Sequence, residues 1–164
     1  MAGESLKDIY VEQLQDLYNS EQQILRALPK MADAAVHTEL RNAFTEHEQL
    51  TRVHVERLER IFDELGQKPG GHKCKGMEGL LAEGDELLEK HRESDALDAA
   101  MISAAQRVEH YEMAGYGTVR TFANILGLDK HAKLLQQTLD EEGETDHKLT
   151  ALAETVVNID AVKE

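Results

Sequence analysis

Glu109 and Glu112 stand three residues apart in a stretch, 106–117, that otherwise reads as one amphipathic helix. That spacing puts both carboxylates on one helix face, the face a soluble bundle ordinarily fills with leucine. Written in alternating three- and four-residue steps, three further segments break their apolar seams in the same way. Glu21 lies between Leu17 and Ile24; His47, Thr51 and His54 lie between Phe44 and Leu58; Glu142 and Asp146 lie between Leu139 and Leu149. An isolated buried carboxylate costs several kcal/mol and tends to protonate, so a group of them needs cations, shared protons or trapped water. A pair of divalent metal ions meets that need, because oxygen and imidazole ligands from facing helices are what carboxylate-bridged di-iron or di-manganese centres use. The expected ligands are Glu21, Glu109, Glu112 and Glu142, with His47 and Asp146 completing the set. The expected metal is iron, two ions per chain, with manganese as the other candidate. The competing reading has these acids solvated or lining a hydrated channel, and a seam slipped by one residue would place them outside.

Four long helices must position such a layer. Ser5-Leu6-Lys7-Asp8 has the form of a capping box, and helical spacing of apolar residues follows to about residue 35, with Pro29 expected to kink the helix or end it early. A short break leads to a helix over 38–65 that stops at Gly66, with Pro69-Gly70-Gly71 beyond. Met77, Leu80, Leu81, Leu87 and Leu88 predict a short amphipathic helix over 76–91 within a crossover. Ser94 and Asp129 are candidate caps for helices over 95–126 and 129–157, separated by Gly127. Two antiparallel hairpins joined by a long crossover predict an all-α, ferritin-like four-helix bundle in a single domain, 1–164. Glu112 and Glu142 are each 15 residues from Gly127, so they fall at one height, and Glu21, His47 and Thr51 fall at similar distances from the first turn.

The bulk properties narrow the function. The chain has 164 residues, no Trp, two Pro and a formal charge of −14, which favours helix and disfavours nucleic acid or anionic membrane surfaces as partners. No apolar run approaches the about 20 residues that cross a bilayer. With one cysteine, Cys74, and no charged-then-apolar leader, a cytoplasmic protein is expected. No Gly-rich phosphate loop, cysteine pair or Ser-His-Asp arrangement stands out, which argues against nucleotide chemistry and hydrolysis.

Residues 106–118 (QRVEHYEMAGYGT), with Glu141-Glu142, Thr145-Asp146 and Leu149, resemble the bacterial YciF-like stress proteins of the ferritin-like superfamily. The likeness extends from Tyr18-Asn19-Ser20-Glu21 through Cys74 and Met77 to Leu152. It implies a ferritin-like bundle, commonly a dimer, with rubrerythrin-like metal positions: Glu21 on the first long helix, Glu109 and Glu112 on the third, Glu142 on the fourth. Two positions depart from that pattern. The fourth helix offers Thr145 and Asp146 where rubrerythrin-type sites have a histidine, and the second offers His47 with Leu50, leaving His47, Glu48 or His54 as substitutes.

The resulting expectation is a stress-response protein whose di-metal centre acts on dioxygen or peroxide as an oxidase, peroxidase or ferroxidase; the alternative is a non-enzymatic stress or assembly protein with a metal-free polar core. Metal ions and small oxidants are its expected partners, and a homodimer its expected assembly. Tyr111 and Tyr116 read as packing residues with satisfied hydroxyls, and Gly115 and Gly117 as sites of close helix approach. Cys74, near His72 and Met77, reads as an idle thiol, and His91, His110, His131 and His147 as surface residues.

Overall fold

A computed structural model describes residues 5–162. Helix α1 spans Leu6–Ala34, α2 Thr38–Leu65, α3 Lys75–His91, α4 Leu97–Ile125 and α5 Asp129–Leu152; a π-helical turn, Ala153–Val157, carries the chain into the short α6, Asn158–Ala161. Helices α1 and α2 form one antiparallel hairpin, and α4 and α5 the other. Helix α1 also packs on α4, and α2 on α5, while the crossover helix α3 lies against α4 and α1. The arrangement is the expected ferritin-like bundle, and the described residues contain no strand.

Local chemistry explains most of the punctuation. Ser5 and Asp8 form the reciprocal capping box, with the Asp8 N–H donating to Ser5 Oγ and the Ser5 N–H to Asp8 Oδ2. Gly66 ends α2 at φ 64° and Gly127 divides α4 from α5 at φ 72°, a left-handed backbone that a side chain would strain. Pro29 does not end α1, which continues to Ala34. The last turn stays because Leu28 and Ala35 are buried, with Met31, Ala32 and Ala34 packed on the same cluster, which outweighs one missing N–H. Ser94 is not the cap of α4. Its hydroxyl accepts from the Ala96 N–H, and the helix starts at Leu97. Asp129 opens α5 from inside its first turn rather than capping it by side chain.

At the end of the bundle where α1 turns into α2, Asp98 is buried and accepts from the backbone N–H groups of Val36 (2.9 Å) and His37 (2.7 Å). The His37 ring bridges Asp98 (2.6 Å) and Asp160 of α6 (3.0 Å). Those bonds, first to Asp160 and then to Asp98, hold the imidazole above its usual pKa.

The apolar core is divided. One cluster, with Ile24, Phe44, Met101 and Leu149, fills this end; the other, with Leu17, Leu58, Tyr116 and Leu135, fills the far end. What lies between them is polar.

Candidate metal centre

Each long helix contributes to the dividing layer. Helix α1 supplies Ser20 and Glu21, α2 supplies His47, Thr51 and His54, α4 supplies Glu109 and Glu112, and α5 supplies Thr138 and Glu142; all are buried. The amphipathic faces that put leucine above and below put these residues at the centre, since seven- and eleven-residue separations return to one side of a helix.

The side chains converge on Glu142. His54 Nδ1 lies 2.9 Å from Glu142 Oε1 and 3.3 Å from Glu21 Oε1. His47 Nε2 lies 3.1 Å from Glu109 Oε1 and 3.8 Å from Glu142 Oε2. Two triads result, Glu21–His54–Glu142 and His47–Glu109–Glu142, each with one ligand atom per residue and all three atoms within 4.8 Å of one another. Glu142 belongs to both.

Surrounding residues hold this constellation in place. Tyr116 donates to Glu21 Oε1 at 2.6 Å, so its hydroxyl is satisfied by a residue of the layer itself. Ser20 donates to Glu112 Oε1. The far nitrogen of His54 meets Glu141 at 3.0 Å, and Glu141 is clamped by both terminal nitrogens of Arg57. The carboxylate–imidazole pair orients the ring so that Nδ1 faces the layer. Thr145 Oγ1 lies 3.3 Å from His47 Nδ1 and does the same for the second ring.

Burial sets the electrostatics. It pushes Glu109 up, helped by repulsion from Glu142, and pushes Glu112 up, helped by Glu21 and Glu142. Glu21 is raised by burial against the pull of His54. Burial also opposes ionisation of Glu142, but the close approach of Glu109 and of the His54 and His47 rings outweighs it and holds that carboxyl low. His54 is the mirror case: burial disfavours its charge, while the nearby carboxylates of Glu142 and Glu21 raise it to about 10. Burial lowers His47. Without metal, these shifts favour one ion pair, Glu142 with His54, and disfavour the charge of the other acids.

That resting arrangement leaves polar atoms stranded. Glu21 Oε2, Glu109 Oε2, Glu112 Oε2, both Glu142 oxygens and His54 Nδ1 are buried without an aligned hydrogen bond. Native structures seldom leave buried groups unpaired, and this set, carboxylate oxygens with imidazole nitrogen, matches the donors that iron or manganese takes. The residues fit a pair of divalent cations.

Five of the six expected ligands lie in the layer, and Glu21, His47, Glu109 and Glu142 fall within the triads. Glu112 is buried beside them but belongs to neither triad. Asp146 belongs to neither triad: half-buried, it meets His110 (3.2 Å) and Gln106 (3.3 Å). After Glu142 the inward face of α5 is taken up by Thr145 rather than Asp146, since a 3.6-residue helix drifts from a strict seven-residue repeat. His54, weighed as a substitute on the second helix, is a full member. Arg57 and Glu141 were not singled out by pattern, because both lie off the seam and only their pairing with His54 gives them a role.

Other positions also resolve. His131 is buried rather than exposed, stacked on Tyr10 with its Nδ1 3.2 Å from the Tyr10 hydroxyl and its Nε2 3.1 Å from Glu64. Tyr111 bonds Asp16 (3.0 Å) and lies 3.1 Å from Cys74 Sγ, and burial pushes the Cys74 thiol up, consistent with an idle cysteine. Gly115 approaches α1 closely, since a Cβ there would meet Leu17 at 2.7 Å; Gly117 has no such contact, its nearest neighbour being Leu139 at 3.9 Å. Among the described residues no helix is long and apolar enough to cross a membrane.

Comparison with known proteins agrees with this architecture. The chain is 44% identical over 159 residues to protein YciF of Escherichia coli strain K12, covering 96% of each. It superposes on the crystal structure of that stress protein with a TM-score of 0.90 at 43% identity, over 95% of this chain and 99% of that one. YcfI of Rhodopseudomonas palustris, described as a proposed structural protein, gives a TM-score of 0.87 at 40% identity, over 90% of this chain and 94% of that one. A protein of Xanthomonas campestris pv. campestris, 20% identical over 94% of this chain and 95% of that one, shares the fold with a TM-score of 0.76. Residues 5–162 match the family described as a domain of unknown function, DUF892, and the chain belongs to that family.

Proposed function

We propose that the chain is a di-metal carboxylate protein of the stress response, with iron or manganese held by Glu21, His54 and Glu142 on one side and by His47, Glu109 and Glu142 on the other. The observation that carries this reading is the pair of buried triads sharing Glu142, in which Glu21 Oε2, Glu109 Oε2 and both Glu142 oxygens lack an aligned hydrogen bond. Glu112 is placed to join the set, because Ser20 engages one of its oxygens and leaves the other unpaired. A bound metal pair would supply electron transfer to a small oxidant such as dioxygen or peroxide. The protein's own part is different. The four carboxylates neutralise the cations, Glu141 and Thr145 fix the two imidazoles, and the leucine-rich clusters above and below keep water out. The stress assignment follows the name of the Escherichia coli relative.

Loading tests this. After anaerobic ferrous loading, elemental analysis should find two ions per chain, one for each triad, and the Glu109→Gln variant should retain fewer. Wild-type protein that takes up no metal would sink the reading.

A second reading is supported by the ion pair of His54 with Glu142 and by the burial that raises Glu21, Glu109 and Glu112, which together limit the buried charge without any metal. On that reading the polar layer specifies helix register, and the protein has a structural role, as the description of the Rhodopseudomonas relative suggests. Unchanged melting with and without chelator would favour it.

A further inference from the structure

Two cavities lie next to the polar layer on its α1–α2 turn side. The inner one, about 100 Å³, has Leu28, Phe44, Leu50 and Ala105 among its walls, reaches His47, Glu109 and Thr145 at its polar side, and also touches the exposed Glu46–Lys148 ion pair between α2 and α5. The outer one, about 190 Å³, lies under the crossover helix, between α1, α3 and α4. The two share a wall of four apolar residues, Ala27, Met31, Leu81 and Val108. Met31 is unbranched and adaptable, so this wall is one that a bound chain can part. Helix α3 is suited to cover such a site: among its residues only Met77 is fully buried, while Leu80, Leu81 and Leu88 are half-buried against the groove.

The outer cavity has a charged rim. Arg26 and Lys30, one turn apart on α1, both line it, are exposed, and have no ion-pair partner among the described residues of a chain with net charge −14. Asp85 of α3 lines the opposite side, leaving one positive charge in excess. Gln23, also on the rim, has its amide committed to Asn19 and the Cys74 carbonyl.

We infer that the groove between α1, α3 and α4 binds a small amphipathic anion, such as a medium-chain carboxylate, with its head group on Arg26 and Lys30 and its apolar body directed past Met31 and Leu81 toward Glu109 and His47. Size agrees with this class: an apolar cavity of about 150 Å³ accommodates benzene, so the outer cavity alone takes a body of that bulk. Charge agrees as well, because the only uncommitted cations at the rim sit where the head group emerges. Leu50 adds an aliphatic side chain to the lining beside His47. The inference deepens the metal-centre reading, on which it rests for the role of the bound molecule, by naming what would stand beside the centre.

The test is titration calorimetry of octanoate into full-length protein stripped of metal by chelator. Saturable binding with one octanoate per chain is expected, weakened by about tenfold in the double variant Arg26→Gln, Lys30→Gln, and strengthened in Asp85→Asn. Octylammonium should bind far more weakly than octanoate. Val108→Phe, which fills the wall between the cavities, should weaken octanoate binding, with circular dichroism confirming the fold; Arg26 and Lys30 are exposed, so their variants test the head-group contact without risk to the core. No saturable binding, equal binding of octylammonium, or an unaffected Arg26–Lys30 double variant would overturn the inference. Because the protein is metal-free in this titration, a failure of iron loading strikes the metal reading and leaves this result standing, and the converse holds too.

Discussion

Glu142 is the residue on which the site turns, because it stands in both triads and both of its oxygens lack an aligned hydrogen bond. Glu142→Gln keeps the shape and removes the shared charge. Anaerobic ferrous loading followed by elemental analysis should then find little or no iron, whereas Asp146→Asn should load as wild type, since Asp146 is engaged with His110 and Gln106. Loading that fell equally in both variants would contradict the assignment. The contrast shows what sequence could resolve at this scale. Glu21, Glu109, Glu112 and Glu142 were legible because each interrupts an apolar seam, and His54 was legible as one of several substitutes. Asp146 lies outside the triads because a three-four repeat cannot choose between adjacent positions once the helix has drifted, and Thr145 takes the place beside His47. Arg57 and Glu141 carried no signal of their own: a charged residue off the seam is ordinarily solvated, and only the fold brings them to the back of His54.

Helices bring these residues to one height, and their glycines separate packing constraint from incidental choice. Gly117→Ala in α4 meets only ordinary contact at 3.9 Å, so it should stabilise the protein by about 0.5–1 kcal/mol through helix propensity. Gly115→Ala pushes on the buried Leu17 and should lose that gain or more. Gly76→Ala in α3 meets the Tyr111 ring at 2.6 Å, a rigid neighbour, and should destabilise by about 1–2 kcal/mol while loosening α3 from the bundle. Urea melts of the three variants check the order; equal effects would mean the helix contacts are softer than described. Element boundaries were readable where backbone chemistry is local, as at Gly66 and Gly127, whose left-handed conformation favours glycine. They were not readable where distant packing decides. Pro29 sits inside α1 because the next turn is held by the core, and α4 starts beyond Ser94 with Asp98 turned to the distant backbone of Val36 and His37.

Across the whole molecule, two apolar halves are joined through a polar layer, so occupancy of that layer should govern global stability. Ferrous loading at about a hundred times Kd should add about 2.7 kcal/mol for each of the two ions and raise the melting temperature by roughly 10–20 °C, lost on chelation. A melt indifferent to metal would favour the protonated layer. A second global prediction concerns the end closed by His37. Its pKa is raised in the fold, so its stabilisation is complete below the usual imidazole value near pH 6.5 and fades as pH rises through the raised one. The deficit of His37→Ala in urea melts should therefore be larger at about pH 5.5 than at about pH 9; a deficit independent of pH would mean that His37 acts only as a neutral spacer. That closure depends on Asp160, which lies just past the π-helical turn of Ala153–Val157. A π turn spends one residue more per hydrogen-bonded ring than an α turn, and each residue of a helix rotates the chain by about 100°. The turn is therefore a phase correction. Wound as uninterrupted α-helix with the same residues, the segment would carry Asp160 round by about that angle and away from His37, whereas deleting one residue of the turn would remove the bulge and leave Asp160 in phase, so the closure at this end depends on the turn absorbing one extra residue.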